Sequence, residues 1–110
     1  MNALLPLWHP ESGSGPTLSV VVPVYNEKDV LPLLIGRLET VLMAMDLPYE
    51  ILFVDDGSRD GSAELLNQPG QSHAGVSVVY LSRNFGKEAA VTAGLEQARG
   101  DAVILIDADL

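Results

Sequence analysis

The chain alternates short apolar runs with longer segments in which apolar residues return every three or four positions. Leu18-Ser19-Val20-Val21-Val22-Pro23-Val24-Tyr25 is rich in β-branched residues and mostly apolar on both faces, which predicts a central parallel strand. Pro23 has no N–H to give to a ladder, so regular pairing is expected to loosen there. From about Val30, the residues Leu31, Leu34, Ile35, Leu38, Leu42 and Met45 form one apolar stripe of a helix, which admits Pro32 only in its first turn and ends at Asp46-Leu47-Pro48. Glu50 to Val54 predicts a second strand. It runs into the turn-forming octet 55–62, after which Asp60 or Ser62 is expected to cap a short helix near Ala63 to Asn67. A polar loop, Gln68 to Ala74, leads to a third strand over Val76 to Leu81. A second long helix is expected from about Glu88 to Arg99, with Ala90, Val91, Gly94, Leu95 and Ala98 facing inward and Gly100 as a left-handed cap. Ala102 to Ile106 predicts a fourth, buried strand that stops on two carboxylates, Asp107 and Asp109.

Strands and helices in strict alternation predict an α/β fold, a parallel sheet with right-handed crossovers and the order three, two, one, four. Residues 1–17 lack either periodicity and carry three prolines and two glycines, so they read as a flexible leader to one domain over 18–110. Within that leader, contact of Ala3-Leu4-Leu5-Pro6-Leu7-Trp8 with a membrane or a partner is the lesser reading.

Composition narrows the chemistry. A chain of 110 residues holds at most one small core. A net charge of −9 speaks against nucleic acid as a partner, because phosphate-backbone binding needs clustered Lys and Arg. An anionic ligand would need recruited positive charge, for which a metal ion is the simplest source. The absence of cysteine excludes disulfides and thiolate metal sites. No apolar run approaches the roughly 20 residues of a spanning helix, so the chain is expected to be soluble.

The predicted order opens three loops on one edge of the sheet, and five acids lie on them: Glu27, Asp55, Asp56, Asp107 and Asp109. Carboxylates so gathered repel one another unless a cation or hydrogen-bond donors meet them, so a binding site is the economical explanation. Either Asp55 or Asp56 alone reads equally as a turn cap. As site residues they would accept hydrogen bonds from a ribose or base, and Tyr25 would stack on a base or simply pack at the rim. Arg83 and Lys87, at a predicted helix N-terminus, are either phosphate ligands or a solvated pair. His9 and His73 have no partners at ligand spacing. Dinucleotide and P-loop glycine motifs are absent.

Four ordered stretches, Val20-Val21-Val22-Pro23-Val24-Tyr25-Asn26-Glu27, Glu50 through Ser58, Leu81 through Lys87, and Ile106-Asp107-Ala108-Asp109-Leu110, together resemble the family 2 glycosyltransferases, most of all the polyprenyl-phosphate group that includes dolichol-phosphate mannosyltransferase. The resemblance runs from about Leu18 to Leu110. It implies a GT-A (Rossmann-like) fold that binds a nucleotide-diphospho-sugar with Mg²⁺ or Mn²⁺. Pro23, Tyr25, Glu27, Val54, Asp55 and Asp56 would form the nucleoside pocket, and Lys87, from its place at the predicted helix N-terminus, is counted with them as a nucleotide-sugar ligand. Asp107 and Asp109 would hold the metal, and Ala108 would lie against the ribose or pyrophosphate. The implied reaction moves a sugar from a UDP- or GDP-sugar to undecaprenyl or dolichyl phosphate with inversion, at the cytoplasmic face of a membrane.

Family members continue beyond the Asp-Ala-Asp triplet with acceptor-binding residues and, in many cases, membrane anchors. The chain is therefore expected to be the donor-binding half of a larger enzyme, inactive alone, with catalytic residues beyond Leu110 and a bare sheet edge that favours self-association. Other readings are a phospho-acceptor receiver domain, a nucleotide-sugar pyrophosphorylase and a folded fragment that binds nothing. The receiver would need its acid pair after the first strand, and the pyrophosphorylase a glycine-rich basic loop there. Pro23-Val24-Tyr25-Asn26-Glu27 supplies neither.

Overall fold

The computed structural model describes residues 15–67 and 76–108. Four strands, β1 (Leu18–Val24), β2 (Tyr49–Asp55), β3 (Val76–Tyr80) and β4 (Ala102–Leu105), form one parallel sheet in the order β3-β2-β1-β4. Three helices connect them: α1 (Leu31–Met45), α2 (Ser62–Leu66) and α3 (Lys87–Gln97). The architecture and strand order are those expected from the alternation of patterns.

The period-two geometry of a strand sorts the core into two layers. Val20, Val22 and Val24 of β1, with Ile51 and Phe53 of β2, pack against Leu31, Leu34, Leu38 and Leu42 of α1 and Leu66 of α2. On the opposite face Val21, Leu52 and Val54 meet Ala90 of α3. Helix α3 lies close on that face because Gly94 has no side chain: a Cβ there would stand 2.4 Å from Cγ1 of Val21 and 3.2 Å from Cγ2 of Val54. Gly94→Ala should therefore lower stability by about 1–2 kcal/mol, the overpacking cost exceeding the gain in helix propensity. Urea unfolding of the two proteins measures this.

Several local expectations are corrected. Leu95 is 48% exposed on the outer side of α3, so of the small-residue face only Ala90 and Gly94 are fully buried. Gly100 is not a left-handed cap, since α3 already ends at Gln97 with an extended Ala98. Its need for hydrogen is a close approach instead, because a Cβ would sit 2.7 Å from the amide nitrogen and Oγ of Ser19. Strand β4 is exposed along its length, with Leu105 at 49%, because it is an edge with nothing packed over it among the described residues. Pairing loosens at Pro23 on one side only: the register with β2 continues through Pro23↔Val54, while that with β4 ends at Val21↔Leu105. Ser62 is the first residue of α2 rather than its cap, and the Asp60 carboxylate accepts the Ser62 amide at 3.0 Å.

At the amino edge of the sheet a buried acid ties strands to helix. Oε2 of Glu50 accepts hydrogen bonds from the Ser19 hydroxyl at 2.6 Å and the Arg99 amide at 2.7 Å, and Oε1 pairs with the Arg99 guanidinium at 3.4 Å. Ser19 Oγ in turn accepts the Gly100 amide at 2.7 Å. This clasp joins the amino ends of β1 and β2 to the segment that follows α3.

Candidate functional site at the carboxyl edge of the sheet

The loops after β1, β2 and β4 and the entrance to α3 surround a cavity of about 400 Å³. From β1 come Pro23, Val24, Tyr25 and Glu27; from β2, Asp56; from the start of α3, Asn84, Gly86, Lys87 and Ala90; from the end of β4, Asp107 and Ala108. The size suits a small organic ligand, and its position, at the carboxyl ends of β1 and β4, neighbours in the sheet that are not consecutive in the chain, is where open α/β sheets bind one.

Two loops are laced together to shape its mouth. The Asn26 amide donates to Ser58 Oγ at 2.9 Å, the Glu27 amide to Ser62 Oγ at 3.0 Å and the Lys28 amide to Asp60 Oδ2 at 3.1 Å, while Asn26 Oδ1 accepts the Arg59 amide at 2.8 Å. The Glu27 carbonyl accepts the Val30 and Leu31 amides, so the same loop starts α1. Burial acts to raise the Asp60 carboxyl, but the Ser62 hydroxyl and the Lys28 and Ser62 amides outweigh it and hold that group below the usual carboxylate range.

Adjacent acids at the end of β2 part ways, as alternation requires. Asp56, 3% exposed, turns to the α3 side. Its Oδ1 accepts the Phe85 amide at 2.8 Å, and its Oδ2 accepts the Gly86 amide at 3.0 Å and Asn84 Nδ2 at 3.0 Å. Asn84 Nδ2 also reaches the Asp56 carbonyl at 3.2 Å. Asp55 lies outside the cavity. Its Oδ2 accepts the Ser58 amide at 3.2 Å, and it lines a neighbouring hollow with Tyr80 and Arg83. There burial, and then the charges of Asp55 and Glu64, push the Tyr80 phenol up. Val54 is fully buried against α3 and does not reach the cavity. Gly57, at φ 72°, lets this turn pass under the next one, since a Cβ would come within 2.5 Å of the Arg83–Asn84 backbone.

Of the two basic candidates only Lys87 reaches the cavity, where it forms an ion pair with Asp107 Oδ1. The Arg83 guanidinium lies 4.5 Å from the centre of the Phe85 ring. Ala108 is buried in the core below the rim, and Asp109 lies outside the described residues, as do 1–14 of the leader and 68–75, which hold His73 and the predicted polar loop. Among the described residues no group of three or more acids or histidines is set to hold a metal, and no helix is long and apolar enough to cross a membrane. The site also includes Asn84 and Gly86, for which the one signal in the sequence is a glycine directly before a helix.

A parallel sheet with a mixed-charge cavity at its switch point defines a ligand-binding α/β domain of the nucleotide-binding type. Sequence comparison makes the class specific: the profile described as Glycosyl transferase family 2 matches residues 19–110, and the chain belongs to that family. Undecaprenyl-phosphate 4-deoxy-4-formamido-L-arabinose transferase of Pseudomonas savastanoi pv. phaseolicola is 50% identical over 94 residues, covering 84% of this chain and 28% of that protein. The transferase of the same name from Yersinia enterocolitica is 47% identical over 104 residues, 91% of this chain and 31% of its own length. The chain thus spans less than a third of these relatives. Among solved structures, the mannosyltransferase PcManGT from Pyrobaculum calidifontis, in complex with GDP-Man and Mn²⁺, superposes with a TM-score of 0.68 at 27% identity, over 94% of this chain and 30% of that one. TarS of S. aureus in complex with UDP-GlcNAc gives 0.64 at 29% identity, over 84% of this chain and 26% of that one. The fold is GT-A, and family membership removes the receiver and pyrophosphorylase readings.

Proposed function

We propose that this chain supplies the donor-binding part of an inverting glycosyltransferase that moves a sugar from a UDP- or GDP-sugar to a polyprenyl phosphate at the cytoplasmic face of a membrane. The observation that carries the reading is the convergence of Pro23, Tyr25, Glu27, Asp56, Lys87, Asp107 and Ala108 on one cavity at the carboxyl edge of the sheet. The undecaprenyl-phosphate transferases among the relatives support the acceptor class, and the GDP-Man and UDP-GlcNAc bound by the solved neighbours support the donor class.

In the transfer, an oxygen of the acceptor phosphate bonds to the anomeric carbon while the bond from that carbon to the nucleotide diphosphate breaks, its electron pair leaving with the diphosphate. Tyr25 and Glu27, on the laced loop, hold the nucleoside end, with Pro23 as part of the wall. Asp56 acts through the turn that it clamps, because three donors already occupy its carboxylate. Val54 and Asp55 support the pocket from behind, Val54 by packing and Asp55 by closing its turn. Lys87 meets the diphosphate charge.

A Mg²⁺ or Mn²⁺ ion would be held by Asp107 and Asp109, and the chain fits such an ion: the donors are hard oxygens, and the Asp107 carboxylate already attracts an ammonium group on the cavity side. When bound, the ion would supply Lewis-acid stabilisation of the departing diphosphate. The acceptor, already ionised, needs little base assistance. The exposed β4 edge supports self-association of the chain on its own.

Calorimetric titration with UDP and GDP tests the donor site. Mn²⁺ should tighten binding of one nucleotide, and Asp107→Asn should remove that gain, by at least the roughly 10–100-fold that loss of even a ligand's supporting partner causes. Binding that is equally tight with and without Mn²⁺, and unchanged by Asp107→Asn, would refute the metal assignment.

A further inference from the structure

Lys87 is the one cation among the described residues that line the cavity, which otherwise presents the carboxylates of Glu27, Asp56 and Asp107. The Phe85 and Gly86 amides, which would offer an anion a docking point ahead of α3, are spent on Asp56. A diphosphate entering here must therefore take its positive charge from a side chain or an ion. The Lys87 side chain is paired with Asp107, yet the two remain 61% and 55% exposed. Ion pairs this open to water contribute little and exchange readily.

We propose that Lys87 is an exchangeable counter-cation. Its ammonium neutralises Asp107 while no divalent ion is bound there, and it releases Asp107 to the ion and turns to the donor diphosphate when both arrive. This rests on the donor-site reading above. Charge balance couples the two moves: if Lys87 left Asp107 unreplaced, the carboxylates of Glu27 and Asp107 would share the cavity with no cation at Asp107, while Asp56 keeps its own three donors. Geometry allows the exchange, because Lys87 is the first residue of α3, its backbone anchored through the Gly86–Asp56 bond while a flexible four-carbon stem carries the charge. Lysine suits the role as a point charge without the fixed fork of arginine.

The role demands opposite effects from one substitution. In the 110-residue chain, Lys87→Gln should tighten Mn²⁺ binding without nucleotide by about fivefold, the effect of removing one competing charge at contact distance in water. Free Mn²⁺ measured by electron paramagnetic resonance reads this. The same substitution should weaken UDP or GDP binding in EDTA by about fivefold or more, read by calorimetry. Arg83→Gln, which removes a cation stacked on Phe85 outside the cavity, should leave both unchanged. Mn²⁺ affinity that is unaltered or lower in Lys87→Gln, or that rises equally in Arg83→Gln, overturns the exchange and leaves the donor site standing. Failure of the unaltered chain to bind Mn²⁺ and either nucleotide overturns both.

Discussion

Replacing Asp56 by alanine is expected to lower stability by about 3 kcal/mol and to abolish nucleotide binding together. The carboxylate is buried and accepts from Asn84, Phe85 and Gly86 at 2.8–3.0 Å. Each hydrogen bond to a charged acceptor is worth about 1.5–3 kcal/mol, and the three are not additive because water can reach the vacated turn. The turn that loses its anchor carries Lys87 into α3, so the cavity loses its cation's position as well as one wall. Amide hydrogen exchange separates this from general loosening: Phe85 and Gly86 should exchange faster than their neighbours in α3. Asp56→Asn is the milder test, since one of its two groups must then present an NH₂ to a donor. A variant that binds nucleotide normally while Phe85 and Gly86 exchange freely would show that the clamp does not serve the site.

Glu50→Ala should destabilise the chain by about 2–4 kcal/mol, because it leaves two donors at the sheet's amino edge without their acceptor, while the half-exposed Arg99 guanidinium turns to water. Glu50 is 1% exposed, and its loss strands the Ser19 hydroxyl and the Arg99 amide between two strands and a helix end. For a domain this small that amounts to some 10–30 °C in melting temperature. Ser19→Ala should cost less, since it leaves the Arg99 contacts to Glu50 in place. Equal losses from the two variants would mean that the hydroxyl, rather than the carboxylate, organises the clasp. Because the clasp lies at the opposite edge of the sheet from the cavity, nucleotide affinity measured well below the melting point should survive in both.

The strand order was legible in the sequence because its signals are local: β-branched runs in β1 and β3, a continuous apolar run in β2, and leucines at helical spacing in α1. The edge that carries the site was legible too, since acids follow three of the strands. What the chain does with two consecutive acids was less so. Period-two alternation sends Asp55 and Asp56 to opposite sides of the sheet, a rule available from the sequence alone, whereas the partners of Asp56 lie 28–30 residues away and no local pattern announces them. Gly100 shows the same limit: glycine after a helix suggests a cap, but here it answers to Ser19, 81 residues distant. The edge position of β4 follows from the expected order, but its exposure does not: a continuous apolar strand predicts cover on both faces, and β4 is exposed along its whole length.

The central claim is that one cavity at the carboxyl edge receives a nucleotide diphosphate and a divalent ion together. Paramagnetic broadening of backbone amide resonances by Mn²⁺, in the presence of UDP or GDP, locates the ion directly. The account predicts the strongest loss of signal at Lys87, Asp107 and Ala108, with Thr40 and Val41 on the outer face of α1 unaffected. Broadening centred anywhere else, or none at Asp107, would contradict it.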